Sequence, residues 1–188
     1  MILDAQSADA LTEMVQVGVG FSAGLLQSIL DAPVELRNPQ IEWIQAYDLP
    51  NGFDPLTSVE LGFSGLLLGD AKMLFPRETA LYLAALLNEA APDSPDLDSL
   101  CGPTLTELGN LVLNGIVGTI SNRLDLQLHY EVPRYAETPQ QEWLAARSSE
   151  RTLLVRSRLA VKDHPVEGEF WFCLDLASAR LMAESLKN

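Results

Sequence analysis

The sequence predicts an α/β (α+β) domain in which two long helices lie side by side on one continuous sheet. Apolar residues recur at helical spacing over residues 8–31, and runs rich in Val, Ile, Leu, Phe and Trp over 34–48 and 57–75 indicate strands. The same order of elements repeats in the second half of the chain. Because each half alone would bury too little core, we expect the two sets of strands to share a sheet.

The composition predicts a folded and strongly acidic protein. The chain has 188 residues, of which 47% are hydrophobic and 20% charged, enough apolar material for a full core. It carries 12 basic and 26 acidic residues, a formal net charge of −14, and its basic residues are not clustered. Nucleic acids and anionic membranes are bound by clustered Lys and Arg. We therefore expect neither nucleic acid nor a membrane as a partner.

The chain shows no sequence feature of export or of a metal centre. Its first ten residues contain neither a basic segment nor a long apolar one, and no apolar run approaches 18 residues. Two cysteines, Cys101 and Cys173, form neither a CxxC pair nor a disulfide framework. His129 and His164 lie in different segments, which disfavours a metal site or a Ser–His triad. A cytoplasmic protein is the prediction.

The first half is predicted to run helix, strands, hairpin, helix. The helix over 8–31 stops before Pro33, and the strands follow. A Gly-Asp pair at 69–70 separates two strand-like runs and predicts a hairpin turn there. A second helix begins at Pro76, since proline suits a first helical turn, and continues to about Glu89.

The second half is predicted to repeat this order after a linker. The Pro-, Asp- and Ser-rich stretch 91–102 is the predicted linker, and a second long helix is predicted from Pro103 to about Leu124. An insertion with a short helix is predicted at 136–146. The remaining strands and the last helix are predicted near 126–132, 151–161, 167–174 and 176–187.

An internal repeat relates the two halves. At an offset of 94, residues 11–39 match residues 105–133 at seven of 29 positions without a gap. The matching pairs are Leu11/Leu105, Thr12/Thr106, Glu13/Glu107, Gly24/Gly118, Leu30/Leu124, Asp31/Asp125 and Pro39/Pro133. Later the offset becomes 99, as in Gly69/Gly168. The period is too long for a solenoid and predicts one domain of two halves, about 8–90 and 103–187, related by a pseudo-twofold axis.

A short polar motif lies on each long helix. Glu107 and Asn110 are three residues apart and therefore neighbours on one helix face, and Asn114 extends this polar stripe by one turn. In the second half 22 residues separate Asn110 from a proline. The first helix carries the counterpart pair, Glu13 and Gln16, again followed by 22 residues and a proline.

This doubled Glu-x-x-Asn pattern, with its proline spacing and two related halves, resembles the CheC/CheX/FliY family of chemotaxis phosphatases. The segment LTELGNLVLNGIVGTISNRL is similar to the motif helix of that family, and VELGFSGLLLGDAKMLFPRETALYLAALL is similar to its strand–hairpin–helix segment. The resemblance covers nearly the whole chain except the predicted insertion. It implies a pseudo-twofold fold with both motif helices packed on a shared, mainly antiparallel sheet.

The resemblance also implies an activity, the hydrolysis of the aspartyl phosphate of a CheY-type response regulator in chemotaxis or another two-component pathway. In that family the Asn amide, here Asn110, enters the partner's active site and orients the attacking water. The Glu, here Glu107, pairs with a lysine of the partner. Mg²⁺ belongs to the response regulator, so the chain is expected to need no cofactor of its own. A CheD-like protein is a further implied partner, and a homodimer is one of the oligomeric states found in the family.

Two departures from the family pattern keep a second hypothesis open. Where that pattern often has Asp or Ser four residues before the Glu, the second half has Pro103, whereas the first half has Asp9 but Gln16 in place of Asn. We therefore expect one active site at Glu107 and Asn110, with Glu13 and Gln16 as a degenerate second site and Asn114 as an auxiliary residue. The alternative is a non-catalytic binding module, like flagellar switch proteins, that docks a response regulator or a CheD-type partner.

Overall fold

The computed structural model describes residues 5–44, 55–91, 93–139, 142 and 152–185. Its four helices, among these residues, are α1 Ala5–Leu30, α2 Arg77–Leu87, α3 Leu97–Arg123 and α4 Leu176–Ser185. Its strands are β1 Val34–Ile44, β2 Leu56–Gly65, β3 Gly69–Pro76, β4 Leu128–Tyr130, β5 Arg134–Thr138, β6 Thr152–Val161 and β7 Val166–Leu174.

The described strands form one antiparallel sheet, which confirms the predicted α+β fold. Their order is β1-β6-β7-β3-β2-β4, and β5 also pairs with β2. Each described strand pair is antiparallel. The sheet is continuous through its centre, where β3 of the first half pairs with β7 of the second.

The strand order reads the same from either edge when the equivalent elements of the two halves are exchanged. The hairpins β2-β3 and β6-β7 meet at the centre, and β1 pairs with β6 of the opposite half, as β4 and β5 pair with β2. The helices are exchanged in the same way, since α2 packs on α3 and α4 packs on α1. The two halves are therefore interleaved, and the larger core cluster among the described residues holds residues from both.

The core lies between the sheet and the two long helices. Buried side chains recur every three or four residues along α1 and α3, which gives each helix one apolar face. The facing strand residues alternate with residues on the other face of the sheet, and Phe63 stacks on Phe172 at a ring centroid distance of 5.4 Å. Fully burying one such side chain contributes about 1.5–3 kcal/mol, so this face positions both helices firmly.

Helix α1 is the most apolar of the helices. Among the described residues it is the one helix long and apolar enough, over Gln6–Leu30, to cross a bilayer by length and composition. The sequence shows no unbroken apolar run there because polar residues are interspersed. Leu11, Val15 and Leu26 of this helix are buried in the core, as in a helix that packs inside a globular domain.

Helix α3 begins earlier than predicted, so the prediction of a helix start at Pro103 is wrong. The helix runs from Leu97 with Pro103 inside it, and residues 97–102 of the predicted linker 91–102 are helical. Leu97, Cys101 and Leu105 are buried at a spacing of four, which continues the apolar face of the helix through the proline. Proline removes the hydrogen bond to the Ser99 carbonyl, and Ser99 is exposed, so water can satisfy that carbonyl.

The β2-β3 turn also differs from the prediction. It is formed by residues 66–68, and Gly69 is already the first residue of β3, paired with Leu174 of β7. A Cβ at Gly69 would overlap the Cys173 carbonyl oxygen, so the glycine serves a close approach of two strands. The buried Leu67 between two exposed leucines anchors this turn in the core.

Other bounds agree to within a few residues, apart from the insertion. Residues 134–138 form β5, so the predicted insertion at 136–146 begins within a strand, and Glu142 inside it is helical. Residues 140, 141 and 143–146 of that insertion, residues 45–48 of the first predicted strand and residues 186 and 187 of the last helix lie outside the described residues. Both cysteines are buried free thiols, the usual environment of a free cysteine in a folded protein.

Candidate functional site

The two long helices run in opposite directions and touch through small residues. A Cβ at Gly18 would lie 3.1 Å from the Ile116 carbonyl oxygen. The Ser22 hydroxyl donates a hydrogen bond to the Val112 carbonyl oxygen at 2.9 Å. At the offset of 94, Gly18 corresponds to Val112 and Ser22 to Ile116, so these are one contact repeated by the two halves. The pseudo-twofold axis therefore passes between the helices at this crossing.

Phe21 and Gly115 mark that axis, because each is the counterpart of the other at the same offset. A Cβ at Gly115 would lie 3.4 Å from the Phe21 ring. The ring is 58% exposed and covers the bare backbone of Gly115. The outer surface of the helix pair is therefore asymmetric at its centre, with one aromatic ring where strict symmetry would place two equal residues.

The predicted site residues of the second half lie together on the outer face of α3, away from the sheet. Glu107 and Asn110 are exposed, and Asn114 is half-buried. Leu111, beside Asn110, exposes 53% of its surface. A carboxylate, an amide and an aliphatic side chain thus share one accessible patch, which we call the α3 patch (Glu107, Asn110, Leu111 and Asn114).

The amide of Asn110 has a defined orientation within this patch. Asn114 Nδ2 lies 2.8 Å from the backbone carbonyl oxygen of Asn110 and 2.7 Å from its side-chain oxygen Oδ1. A carbonyl oxygen only accepts hydrogen bonds, so the nearby Asn114 atom must be its NH₂ group. The Asn110 atom beside that donor must then be the acceptor Oδ1. The backbone therefore fixes both amides, and Oδ1 retains a second lone pair for a further donor.

The backbone beneath the patch is held tightly on the sheet. Gly109, between Glu107 and Asn110, is buried, and a Cβ there would overlap Cγ1 of Val59 on β2. Only glycine permits this approach of helix to strand. Leu108 is also buried. The motif is therefore carried by a segment of helix that packing allows little room to move.

The first half repeats this framework and lacks the amide pair. Glu13 and Gln16 are exposed on α1, and Val17, the counterpart of Leu111, is 39% exposed. Gly20 stands at the position equivalent to Asn114, and a Cβ there would meet nothing within 4 Å. The predicted degenerate site, Glu13 and Gln16, lies beside Val17 and Gly20 on the same face, and we call these four residues the α1 patch. The patch thus has no side chain that could orient its amide from the next turn.

The two patches are separate sites. Asn110 and Gln16 each stand five residues before the axial positions, Gly115 and Phe21, of their own helices. Because the helices are antiparallel, the two residues lie on opposite sides of the axis, about 15 Å apart along the helix direction at 1.5 Å per residue. The structure therefore does not bring the two motifs together.

The histidine and cysteine side chains lie outside the two patches. His129 is exposed on β4, while His164 Nδ1 is 2.9 Å from the Tyr82 hydroxyl. Burial raises the pKa of both the Cys101 and the Cys173 thiols. Within the ranges that the structure describes, no three His, Cys, Asp or Glu side chains are grouped as metal ligands would be.

Comparison with known proteins agrees with this fold. No family model matches the chain. The CheY-P phosphatase CheC of Bacillus subtilis (strain 168) is 25% identical over 135 residues, a match that covers 68% of this chain and 65% of that relative. Thermotoga maritima FliY has a TM-score of 0.77 at 14% identity, over 100% of this chain and 98% of its own. The chain has a CheC/CheX/FliY-like fold.

Two further solved structures share this CheC/CheX/FliY-like fold. CheX in the CheX–CheY–BeF3–Mg²⁺ complex from Borrelia burgdorferi has a TM-score of 0.61 at 18% identity, over 87% of this chain and 97% of the other. The FliM middle domain from H. pylori has a TM-score of 0.66 at 10% identity, over 97% of this chain and 99% of the other. At these identities the likeness is one of fold.

The hydrogen bond from Asn114 to Asn110 was not predicted from the sequence. The available signal was the spacing of two asparagines four residues apart on one helix, which places their side chains in reach of each other. Pro103 lies on α3 one turn before Glu107, exposed, and its counterpart Asp9 is exposed on α1. The helix continues through Pro103 into the α3 patch without a break.

Proposed function

We propose that the chain hydrolyses the aspartyl phosphate of a CheY-type response regulator, with Glu107 and Asn110 acting in the partner's active site. The observation that carries the proposal is the exposed Asn110 amide, oriented by Asn114 beside an exposed carboxylate. Phosphoryl transfer depends mainly on positioning and charge stabilisation, to which a fixed amide can contribute.

The comparisons support this class of activity, the dephosphorylation of a response regulator. The relative from Bacillus subtilis is a CheY-P phosphatase, and the CheX neighbour is solved together with CheY. Because the match spans 65% of that relative, the activity of this chain is our proposal. The same proposal places this protein in the cytoplasm, since response regulators act in the cytoplasm.

In the proposed reaction a water molecule attacks phosphorus, and the bond between phosphorus and the aspartyl oxygen breaks. The products are the free aspartate carboxylate and inorganic phosphate. The second lone pair of Asn110 Oδ1 accepts a hydrogen bond from the water and directs it at phosphorus. A neutral amide does this without bringing negative charge to the phosphoryl group. Mg²⁺, held by the response regulator, neutralises phosphoryl charge.

Glu107 is assigned to docking. Its exposed carboxylate, one turn from Asn110, is placed to form an ion pair with a lysine of the partner. Leu111 and Phe21 give the same surface two exposed apolar side chains, the kind of group that excludes water at the centre of an interface. Excluding water strengthens the ion pair and the hydrogen bond beside it.

The test is the lifetime of the phosphorylated partner. CheY-type response regulators from the same genome are phosphorylated with a small-molecule phosphodonor, and phosphate release is followed with and without the chain. We expect faster release from at least one regulator, and the acceleration should disappear with Asn110→Ala. Asn122→Ala, a change of an exposed asparagine on the same helix, is the matched control and should keep the acceleration. Unchanged release from every regulator would contradict the proposal.

A second candidate function is a binding module without catalysis. The FliM-like fold and the first-half pair Gln16 and Gly20, which cannot reproduce the oriented amide, favour it. This candidate predicts that a response regulator binds with unchanged phosphate lifetime. Binding measured by calorimetry alongside phosphate release therefore separates the two functions.

A further inference from the structure

We propose that Asn114 is a positioning residue that holds the Asn110 amide in the one orientation useful for hydrolysis. The inference rests on the proposed function for its catalytic consequence, whereas its structural part stands without it. Asn114 itself lies one turn farther along α3 than Asn110 and is half-buried. It is therefore placed to act through Asn110.

An exposed asparagine side chain ordinarily samples two flipped orientations, which exchange its oxygen and its NH₂ group. In one orientation Asn110 offers a lone pair to a water molecule, and in the other it offers hydrogen-bond donors. The Asn114 NH₂ group is 2.7 Å from Oδ1 and favours the first. The flipped state would place two NH₂ groups against each other and lose this bond.

The position of Asn114 is itself fixed by the backbone. Its NH₂ group also donates to the Asn110 carbonyl oxygen at 2.8 Å, and this acceptor cannot rotate. Because the Asn110 amide is already ordered before the partner binds, its hydrogen bond to water requires no further loss of side-chain entropy. That hydrogen bond is therefore fully available in the transition state. One hydrogen bond of this kind changes an equilibrium by roughly threefold to tenfold, which sets the size of the expected effect.

The α1 patch supports the assignment by contrast. It lacks the asparagine amide, with Gln16 in its place, and it lacks the orienting side chain, with Gly20 in its place. Space is not the reason for the glycine, because a Cβ at this position would meet nothing within 4 Å. The amide and its holder are thus present together in one half and absent together in the other.

The kinetic test uses three substitutions of Asn114. Asn114→Leu and Asn114→Asp keep about the same size and lose the donor, one without charge and one with it, whereas Asn114→Gln retains the donor. We expect kcat to fall roughly threefold to tenfold for the first two, with KM for the phosphorylated partner within about twofold, and the glutamine variant to recover most of kcat. Asn122→Asp controls for added charge on the helix.

The structural test needs no partner. Side-chain ¹⁵N relaxation of the Asn110 NH₂ group, assigned by its loss in Asn110→Ala, reports how rigidly the amide is held. We expect a high order parameter in the parent chain and a lower one in Asn114→Leu. The α1 patch provides the converse experiment, in which Gln16→Asn yields a mobile amide and Gln16→Asn with Gly20→Asn yields a rigid one.

The outcomes separate this inference from the proposed function. Equal order parameters with and without Asn114, or at position 16 with and without Gly20→Asn, overturn the positioning role whatever the enzyme does. Full kcat in Asn114→Leu, with activity lost in Asn110→Ala, also overturns it and leaves the proposed function standing. If Asn110→Ala keeps full activity, the proposed catalytic role of Asn110 fails, and the relaxation experiment alone decides whether Asn114 holds the amide. If the parent chain releases phosphate from no regulator, the proposed function itself fails, and the same experiment decides.

Discussion

The two halves of this molecule share a framework and differ on one outer surface. Each long helix is followed within two residues by an aspartate with a positive φ, 49° at Asp31 and 52° at Asp125. Both also carry a threonine whose hydroxyl donates to the carbonyl four residues earlier, at 2.8 Å for Thr12 and 2.7 Å for Thr106. Helix ends and local hydrogen bonds are thus matched across the pseudo-twofold axis.

The outer surface of the helix pair is where the match ends. At the offset of 94, Asn110 corresponds to Gln16, Asn114 to Gly20 and Gly115 to Phe21. Residues that bury the helices must satisfy the same sheet in both halves, whereas residues on the outer surface have no such constraint. The difference teaches that a duplicated fold can keep its packing symmetric while the side chains on its outer surface diverge between the two copies.

The largest expected effect comes from the α3 patch. Asn110→Ala should lower the rate of dephosphorylation at least about tenfold, because it removes an interaction made mainly in the transition state. Binding of the phosphorylated partner should persist for the same reason. Stopped-flow phosphate release and calorimetric titration measure the two quantities. Full activity of this variant against a responsive partner would show that the proposed mechanism is wrong.

A second prediction concerns the glycine that seats the α3 patch. Gly109→Ala should lower the free energy of unfolding by about 1–3 kcal/mol, since its Cβ would overlap Val59 on β2, a stiff β-branched residue. Adding Val59→Ala should recover part of this loss, so the two changes should not be additive.

Gly118→Ala is the matched control for this stability measurement. It lies on the same helix with open space around its Cβ position, so alanine should raise stability by about 0.5–1 kcal/mol through helix propensity. Denaturant melts of five chains measure these differences: the parent, Gly109→Ala, Val59→Ala, the double variant and Gly118→Ala. If Gly109→Ala is as stable as Gly118→Ala, the tight seating of the motif on the sheet is refuted.

Much of this fold was predictable from the sequence because its signals are local or repeated. Helical periodicity located α1, and a proline suited to a first helical turn located α2. The internal repeat predicted a shared sheet and a pseudo-twofold axis. The pairing of β1 with β6 joins residues more than a hundred positions apart. No local pattern contains that information, so the interleaving of the halves required the structure.

The errors in the sequence predictions have specific physical causes. Pro103 resembles a helix start, but α3 continues through it because burial of Leu97 and Cys101 outweighs one lost hydrogen bond. The β2-β3 turn consists of three leucines, which resemble strand residues, and only the middle one, Leu67, is buried. In both places tertiary packing overrode the local signal.

The candidate site shows the same division. The doubled motif predicted Glu107 and Asn110 as the candidate site, and their proposed roles depend on the family resemblance. The bond from Asn114 could not be predicted from composition, since it depends on the rotamers of two side chains on one helix. Nor could the position of Phe21 over Gly115, which requires the crossing of α1 and α3.

A third prediction separates docking from chemistry within the α3 patch. Glu107→Ala should weaken binding of the phosphorylated partner and lower the rate, each by about threefold to tenfold, because the proposed ion pair forms on docking. The effect should shrink at high ionic strength, where the pair is screened. Titrations at two salt concentrations measure this. A loss of rate with unchanged binding at low salt would argue against the docking role.

The smallest effect is expected from the α1 patch, and it decides whether the comparison between the halves holds. Replacing Glu13 and Gln16 together with Ala should leave dephosphorylation within about threefold of the parent, because a longer glutamine amide is misplaced by about 1 Å, enough to cost on the order of 100-fold. Both residues are exposed, and alanine is the better helix former, so the fold should be retained. Circular dichroism melts check this. The matched variant changes Glu107 and Asn110 together. If the two double variants lose activity to the same extent, both helices carry active sites and the chemistry is as symmetric as the packing.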